Sequence, residues 1–198
     1  MTLLTQAVIF AAGAHDGATR KGSQTPYIVH PMEAAAIAAA LTRDEEVIAA
    51  AALHDVAEDC GVTGEELASR FGERVSHLVL WESQTQFPDP RASWQVRKRE
   101  TIDKLARGGR EAKILALSDK LSNMRAICRD FRREGEALFA RFNQSDKRLH
   151  AWYYRSCAAL IDPELGETDE WRELIRLIDE VFGREAPAQP GAVLGGAI

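Results

Sequence analysis

A run of small apolar residues that ends in a dense group of ionisable side chains places the strongest constraint on the fold of this chain. Residues 49–59 read Ala-Ala-Ala-Ala-Leu-His-Asp-Val-Ala-Glu-Asp. Alanine favours helix, and its small side chain lets neighbouring helices approach closely. On one helix, His54 would lie four residues before Glu58, and Asp55 four before Asp59, in two columns about 100° apart. The sequence therefore predicts a closely packed helix whose four charged groups share one side and face a cleft.

The composition favours a single all-α domain. A chain of 198 residues is long enough for one well-filled core and too short for two ordinary domains. Hydrophobic residues make up 45% of the chain and charged residues 28%, as in globular proteins. We expect one helical domain over residues 1–185 and a flexible tail over residues 186–198, where Ala, Pro and Gly dominate.

Hydrophobic periodicity and capping residues predict the order of the helices. Helices are expected over residues 2–16, 31–41, 42–60, 63–71, 73–83, 94–106, 110–127, 145–161 and 168–182. Residues 82–93 are expected to form a loop. Four helices are expected to begin at capping residues, namely Thr42, Thr63, Ser145 and Thr168.

Charge and cysteine content exclude several classes of protein. The net charge of -5 argues against a nucleic-acid partner, although a small basic pocket for a phosphate ligand is compatible with it. Cys60, Cys128 and Cys157 are too far apart for a cysteine zinc site and indicate no disulfide framework. The sequence contains no basic leader and no apolar run near the ~18 residues of a membrane span. We expect a cytoplasmic protein with a small-molecule substrate; no feature sets an oligomeric state.

Two further polar residues make a metal site the preferred interpretation of the cluster. A His-Asp pair alone is common at surfaces, or as a histidine with its hydrogen-bond partner. Here Asp119 also interrupts an apolar helix, and His30 precedes the constraining Pro31. A bound divalent cation would compensate such buried charges. Two imidazoles and two carboxylates suit Mn²⁺, Fe²⁺ or another six-coordinate metal better than a closed zinc cage.

Three sequence segments resemble a known family. The order His30, His54-Asp55 and Asp119 resembles the HD-domain metal-dependent phosphohydrolases. The segments RKGSQTPYIVHP (20–31), ALHDVAED (52–59) and LSDKLSNMR (117–125) are similar to the three signatures of RelA/SpoT-type (p)ppGpp hydrolases in their small stand-alone form. The likeness covers roughly residues 5 to 160, and the combined pattern is far more specific than the HD pair alone.

The resemblance implies an all-helical enzyme that removes the 3′-pyrophosphate from guanosine alarmones. It implies one Mn²⁺ ion held by four residues, namely His30, His54, Asp55 and Asp119. Glu58 and Asp59 would orient and deprotonate the attacking water.

The resemblance and the spacing also imply residues that bind the nucleotide. These are Arg20, Lys21, Tyr27, Asn123 and Arg148. Without the resemblance, Arg20 and Lys21 would be interpreted as solvated loop charges, and Tyr27 as a packing residue. Asn123 follows Asp119 by one helical turn and should face the same cleft.

Other functions remain compatible with the same residues. The family's usual threonine after His-Asp is Val56 here, and Trp81-Glu82-Ser83 replaces its usual Val-Thr-Lys, so the base and ribose contacts are not fixed. The nucleotide (p)ppApp and the 2′-phosphate of NADPH are alternative substrates. A catalytically silent HD module that binds a nucleotide or a partner protein is an alternative of another class, and an ordinary HD nucleotidase is a third. The stretch after residue 160 is too short for a synthetase domain, so we expect hydrolysis without synthesis.

Overall fold

The structure, a computed structural model, describes residues 1–83, 88–89 and 91–184. These residues form α-helices and one 3₁₀ helix, and no β-strand occurs among them. The α-helices are α1 (Leu3–Ala14), α2 (Val29–Leu41), α3 (Glu45–Leu53), α4 (Val56–Cys60), α5 (Gly64–Phe71), α6 (Glu73–Glu82), α7 (Trp94–Arg107), α8 (Arg110–Glu134), α9 (Lys147–Leu165) and α10 (Asp169–Phe182). The 3₁₀ helix, Gly135–Arg141, joins α8 to α9. The predicted all-α class is confirmed.

The alanine-rich helix α3 lies at the centre of the fold. Every residue from Val47 to Leu53 is buried. Helices α1, α2, α6 and α8 all pack against α3. A helix that is apolar on all sides must be enclosed by neighbours, and the alanines allow this close approach. The residues that follow Leu53 therefore emerge from the densest part of the core.

The single helix predicted from residue 42 to residue 60 is wrong, because it divides at His54 and Asp55. Helix α3 ends at Leu53 and α4 begins at Val56, with two turn residues between them. Nδ1 of His54 donates a hydrogen bond to the carbonyl oxygen of Ala51 at 2.8 Å, so a side chain binds one of the last acceptors of α3. The four ionisable groups therefore do not lie on one straight helix face.

Two predicted helix caps are confirmed. Thr63 accepts a hydrogen bond from the backbone N–H of Glu66 at 3.2 Å, and Thr168 accepts one from Trp171 at 3.2 Å. Both hydroxyls thereby bind N–H groups that have no partner within their own helix.

The predicted caps Thr42 and Ser145 are wrong. Asp44 caps α3 and Asp146 caps α9, and each carboxylate accepts a hydrogen bond from the backbone N–H two residues further along. A carboxylate at this position also interacts favourably with the positive end of the helix dipole. Thr42 instead ends α2 and accepts a hydrogen bond from the Asp44 N–H at 3.1 Å.

Helix α8 connects the helices around α3 to the C-terminal helices α9 and α10. It runs seven residues beyond its predicted end and packs against α2, α3, α9 and α10. Among the described residues, no helix is both long and apolar enough to cross a membrane. Part of the predicted loop (84–87 and 90) and the predicted tail (186–198) lie outside the described residues, so the tail stays a prediction.

Candidate metal centre and adjoining cleft

Helices α2 and α8 and the turn between α3 and α4 bring four predicted ligands together. His30 lies in the first turn of α2, His54 and Asp55 form the turn, and Asp119 lies within α8. The Nε2 atoms of the two histidines are 3.1 Å apart. Oδ2 of Asp55 lies 3.5 Å from Nε2 of His30 and 3.0 Å from Nε2 of His54, and Oδ1 of Asp119 lies 3.2 and 3.7 Å from the same two atoms. Each carboxylate oxygen thus lies within 3.7 Å of both imidazole nitrogens, and the ligand atoms of His30, His54 and Asp55 all lie within 4.8 Å of one another.

The orientation of His54 suits a metal ligand. Its Nδ1 lies 2.8 Å from the Ala51 carbonyl oxygen, and a carbonyl can only accept a hydrogen bond. Nδ1 therefore carries a proton, which in the neutral ring leaves a lone pair on Nε2. A second hydrogen bond of this kind commonly fixes the ring of a metal-binding histidine.

The electrostatics of the cluster favour a positive charge where the rings meet. Burial opposes the ionised form of Asp55, but the adjacent His54 outweighs it and lowers the pKa of Asp55 well below its usual range. Burial also opposes the charge on His54, yet the attraction of Asp55 and Asp119 raises the pKa of His54 well above its usual value. The described residues thus contain a His/Asp cluster whose nitrogen and oxygen donors fit a divalent metal ion.

A buried lysine that the sequence analysis did not identify sits beside the cluster. Nζ of Lys120 lies 2.6 Å from Oδ2 of Asp119 and 2.8 Å from Oε1 of Glu82. Burial of Asp119 opposes its charge, but Lys120 lowers the pKa of Asp119 well below its usual range. One oxygen of Asp119 therefore binds the lysine while the other faces the histidines. The sequence signal was available, since the lysine directly after Asp119 lies within the mostly apolar stretch 114–121 of α8.

Tyr27 contacts the cluster directly. Its hydroxyl donates a hydrogen bond to Oδ2 of Asp55 at 2.7 Å, and its ring lies 4.7 Å from the ring of His15. Burial, reinforced by the charge of Asp55, raises the pKa of Tyr27 far above its usual value. Tyr27 therefore stays protonated and acts as a hydrogen-bond donor that orients Asp55.

Helix α4 presents two carboxyl groups to the space beside the cluster. Glu58 and Asp59 line the same cleft as His30, His54 and Asp55. Burial and the charge of Asp55 both raise the pKa of Asp59. Both predicted catalytic carboxyl groups are thus close to the candidate metal centre, and Asp59 holds a proton more readily than an ordinary aspartate.

The cleft has an inner and an outer part. The inner part, of about 180 Å³, contains the four candidate ligands together with Glu58, Lys98 and Lys120. The outer part, of about 380 Å³, shares Arg20, Tyr27 and Asn123 with the inner one. It adds basic side chains and aromatic rings, namely Lys21, Arg97, Arg129, Arg141, Trp94, Phe142 and His150. An anionic molecule with a planar ring suits such a lining.

A chain of hydrogen bonds joins the two parts of the cleft. Nη2 of Arg20 donates to Oδ1 of Asn123 at 2.5 Å, and Nδ2 of Asn123 donates to Oδ1 of Asp119 at 2.5 Å. The guanidinium carbon of Arg20 also lies 5.3 Å from the centre of the Tyr27 ring. The structure therefore brings three of the predicted substrate-binding residues to the edge of the metal centre.

The other two predicted substrate-binding residues have different outcomes. Lys21 lines the outer cleft and donates to Oδ1 of Asn143 at 2.8 Å. The Arg148 side chain is 87% exposed, lies outside both parts of the cleft, and pairs with Asp146 at 2.8 Å. Its expected role at the far wall is not supported, because the neighbouring carboxylate that caps α9 holds it at the surface.

Comparison with known proteins gives consistent results. A family model described as an HD domain matches residues 7–149. The guanosine-3′,5′-bis(diphosphate) 3′-pyrophosphohydrolase of Vibrio cholerae is 36% identical over 127 residues, which are 63% of this chain and 18% of that protein. MESH1 of Danio rerio, of the same description, is 37% identical over 130 residues, which are 64% of this chain and 70% of that protein.

A solved structure has the same fold. It is that of a metazoan orthologue of SpoT that is described as hydrolysing ppGpp, with a TM-score of 0.73 over 91% of this chain and 96% of that one. At 24% identity, this likeness is one of fold. The match thus covers 96% of that solved chain and 70% of MESH1, but only 18% of the Vibrio cholerae protein.

Proposed function

We infer the function of this chain from its family, because it belongs to the HD-domain family and is a homologue of the (p)ppGpp hydrolases. On that premise we propose that it removes the 3′-pyrophosphate from guanosine alarmones. The observation that carries the proposal is the meeting of His30, His54, Asp55 and Asp119 at the end of a cleft with basic walls. The relatives described as 3′-pyrophosphohydrolases support the choice of substrate.

The four clustered side chains would hold one divalent ion, which we propose to be Mn²⁺. Two imidazole nitrogens and two carboxylates, with room for solvent beside them, suit a six-coordinate ion of this kind. When bound, such an ion supplies Lewis-acid chemistry that acidifies water and neutralises phosphate oxygens.

The carboxyl groups of α4, Glu58 and Asp59, would orient the attacking water and accept its proton. In the proposed reaction a water oxygen forms a bond to the phosphorus next to O3′, and the bond between that phosphorus and O3′ breaks. Glu58 would take the proton that the water loses and pass it to the leaving O3′, so that pyrophosphate and the 5′-phosphorylated nucleoside are the products. Asp59, whose raised pKa favours its protonated form, would orient the water by a hydrogen bond.

The side chains of the outer cleft would hold the rest of the nucleotide. Arg20 and Asn123 lie at the junction of the two parts of the cleft and would bind the ribose and its phosphates. Lys21 would pair with a phosphate further out, since guanidinium and ammonium groups are the usual phosphate ligands. A cytoplasmic location belongs to the proposal and fits three cysteines that form no disulfide.

A product assay tests the proposal. The Mn²⁺-loaded protein is incubated with ppGpp, ppApp, NADPH and simple nucleoside phosphates in parallel, with EDTA and the Asp55→Ala variant as controls. Pyrophosphate release from ppGpp that both controls abolish is the expected result. Release from ppApp alone, or of phosphate from NADPH or a mononucleotide alone, would keep the site and overturn the substrate. No turnover of any substrate by metal-loaded protein would favour a binding module instead.

A further inference from the structure

A chain of hydrogen bonds leads away from the cluster on the side opposite the cleft. Nδ1 of His30 lies 2.8 Å from Oγ of Ser122, and Oγ of Ser122 lies 2.7 Å from Oε2 of Glu33. Glu33 is three residues after His30 on α2, whereas Ser122 is on α8. The chain therefore crosses the interface between the two helices that bear His30 and Asp119.

The direction of each hydrogen bond follows from the chemistry of the groups. A hydroxyl has one proton, and an ionised carboxylate can only accept, so the Ser122 proton goes to Glu33. The serine oxygen must then accept from His30, which requires a proton on Nδ1 of the ring. In the neutral ring, Nε2 consequently carries a lone pair that points at the cluster.

A salt-bridge network holds Glu33 in the orientation that this direction needs. Nη1 of Arg125 lies 3.1 Å from Oε1 of Glu33, which leaves Oε2 for the serine. Arg125 in turn donates two hydrogen bonds, of 3.0 and 2.6 Å, to Glu173 of α10. The Glu33 side chain is 34% exposed and Ser122 is 2% exposed, so the relay runs from half-buried surface to core.

We propose that Glu33 and Ser122 are positioning residues that hold His30 as its Nδ1-protonated tautomer and thereby raise the affinity of the cluster for its metal ion. The inference rests on the metal centre of the proposed function but not on the identity of the substrate. Partners of this kind behind a metal-binding histidine typically contribute about 10–100-fold in metal affinity. Neither residue touches the cleft, so the effect on substrate is indirect.

Metal affinity without nucleotide is the first measurement. Mn²⁺ is titrated into metal-free protein, and the unbound ion is followed by its electron paramagnetic resonance signal. Ser122→Ala and Glu33→Ala should raise the Kd about 10–100-fold. Glu33→Gln should also weaken binding, because Arg125 and Ser122 would compete for its single acceptor oxygen.

Two matched controls separate this effect from a general loss of packing. Ser118→Ala removes a fully buried hydroxyl one turn earlier on α8, which donates only to the Ile114 carbonyl at 2.7 Å. Glu173→Gln weakens the outer grip on Arg125 and leaves Glu33 and Ser122 in place. Both controls should keep the Kd within about threefold of the parent value.

The tautomer of His30 provides the decisive readout. Long-range ¹H–¹⁵N spectra of the metal-free protein distinguish a protonated Nδ1 from a protonated Nε2. The parent should show Nδ1 protonated on His30, and Glu33→Ala should shift the ring towards protonation at Nε2. An unchanged tautomer and an unchanged Kd in Glu33→Ala would overturn the proposal, whatever the substrate assays give. If Ser122→Ala does not fold, the half-exposed Glu33 variants still decide the question.

Discussion

The Nε2 atoms of His30 and His54 lie 3.1 Å apart at the meeting point of three structural elements. Nδ1 of His54 donates to the Ala51 carbonyl, and Nδ1 of His30 is bonded to Ser122. Two neutral rings held in this way would direct lone pairs at each other, and either a proton on His54, whose pKa the two carboxylates raise, or a bound metal ion relieves this contact. The arrangement of the two rings therefore favours the binding of a positive ion between their Nε2 atoms.

Metal loading should therefore stabilise the protein against unfolding. At a metal concentration 100 times the Kd, linkage predicts a gain of about 2.7 kcal/mol in the free energy of unfolding. Differential scanning calorimetry with and without Mn²⁺ measures this, and EDTA should reverse it. Asp55→Ala should lose both the thermal shift and the hydrolytic activity. A variant that kept full turnover would contradict the assignment of Asp55 as a ligand.

Glu58→Gln should separate metal binding from the chemical step. The amide cannot accept a proton from water but leaves the cluster of His30, His54, Asp55 and Asp119 intact. We expect kcat to fall by roughly 10²–10⁴-fold with little change in metal affinity. Single-turnover kinetics on Mn²⁺-loaded protein measure this. Unchanged kcat would transfer the role of proton acceptor to Asp59.

Arg20 and Arg148 should respond differently to the same change. Arg20→Ala removes a cation at the junction of the cleft and should raise KM by about 10-fold or more, since a lost charge-assisted hydrogen bond costs about 1.5–3 kcal/mol. Arg148→Ala removes an exposed side chain outside the cleft and should leave KM within about twofold. Steady-state kinetics on the proposed alarmone substrate compare the two. An equal effect at both positions would contradict the assignment of Arg20.

Lys120→Met should destabilise the metal-free protein strongly. The change leaves Asp119 and Glu82 without their shared cation in a site where Lys120 is 3% exposed. Breaking a buried ion pair on one side typically costs about 3–5 kcal/mol. Urea unfolding measures the loss, and adding Glu82→Gln should recover part of it. A loss below about 1 kcal/mol would mean that water reaches these carboxylates.

The pair of Arg132 and Glu180 should add stability only above acidic pH. The Arg132 guanidinium makes two hydrogen bonds to Glu180, of 2.6 and 2.9 Å, and lowers the pKa of that carboxyl to about 2. Because the folded pKa is below the unfolded one, the contribution is present above pH ~4.5 and is lost as the pH falls towards 2.

A carbon-13 NMR titration of the glutamate carboxyl groups checks this expectation. The Glu180 signal should titrate near pH 2 in the parent and near the ordinary value of glutamate in Arg132→Gln. The same low pKa in both proteins would exclude Arg132 as its main cause.

Sequence patterns predicted the members of the cluster better than its geometry. His30, His54, Asp55 and Asp119 carry rare signals, because each places an ionisable group where an apolar residue or a chain constraint is expected. The break between α3 and α4 could not be read in the same way, since the residues on both sides of it favour helix. A bond between a ring and a carbonyl, His54 to Ala51, accompanies the break in place of a glycine or proline.

Sequence periodicity could not predict the residues that hydrogen-bond to His30 on the side away from the cleft. Glu33 and Ser122 are ordinary residues for a helix, and they meet only because α2 packs against α8 at one particular register. Arg148 shows a different limit of the sequence prediction. Its spacing indicated a place in the cleft wall, but its side chain pairs with the nearby Asp146 instead. Local competition of this kind decides where long side chains point.

The division of one predicted helix into α3 and α4 gives His54 and the two carboxyl groups separate supports, with Asp55 at the junction. His54 is anchored to the most tightly enclosed helix of the domain, whereas Glu58 and Asp59 lie on a helix of five residues that packs mainly on α1. Asp55 directly precedes α4 and its carbonyl accepts a hydrogen bond from the Asp59 N–H at 2.8 Å, so a mutation that shifts α4 would act on the two carboxyl groups and on one candidate ligand, whereas His54 would stay fixed on α3. Changes in α4 can therefore alter the reaction rate while His30, His54 and Asp119 keep their positions on other elements.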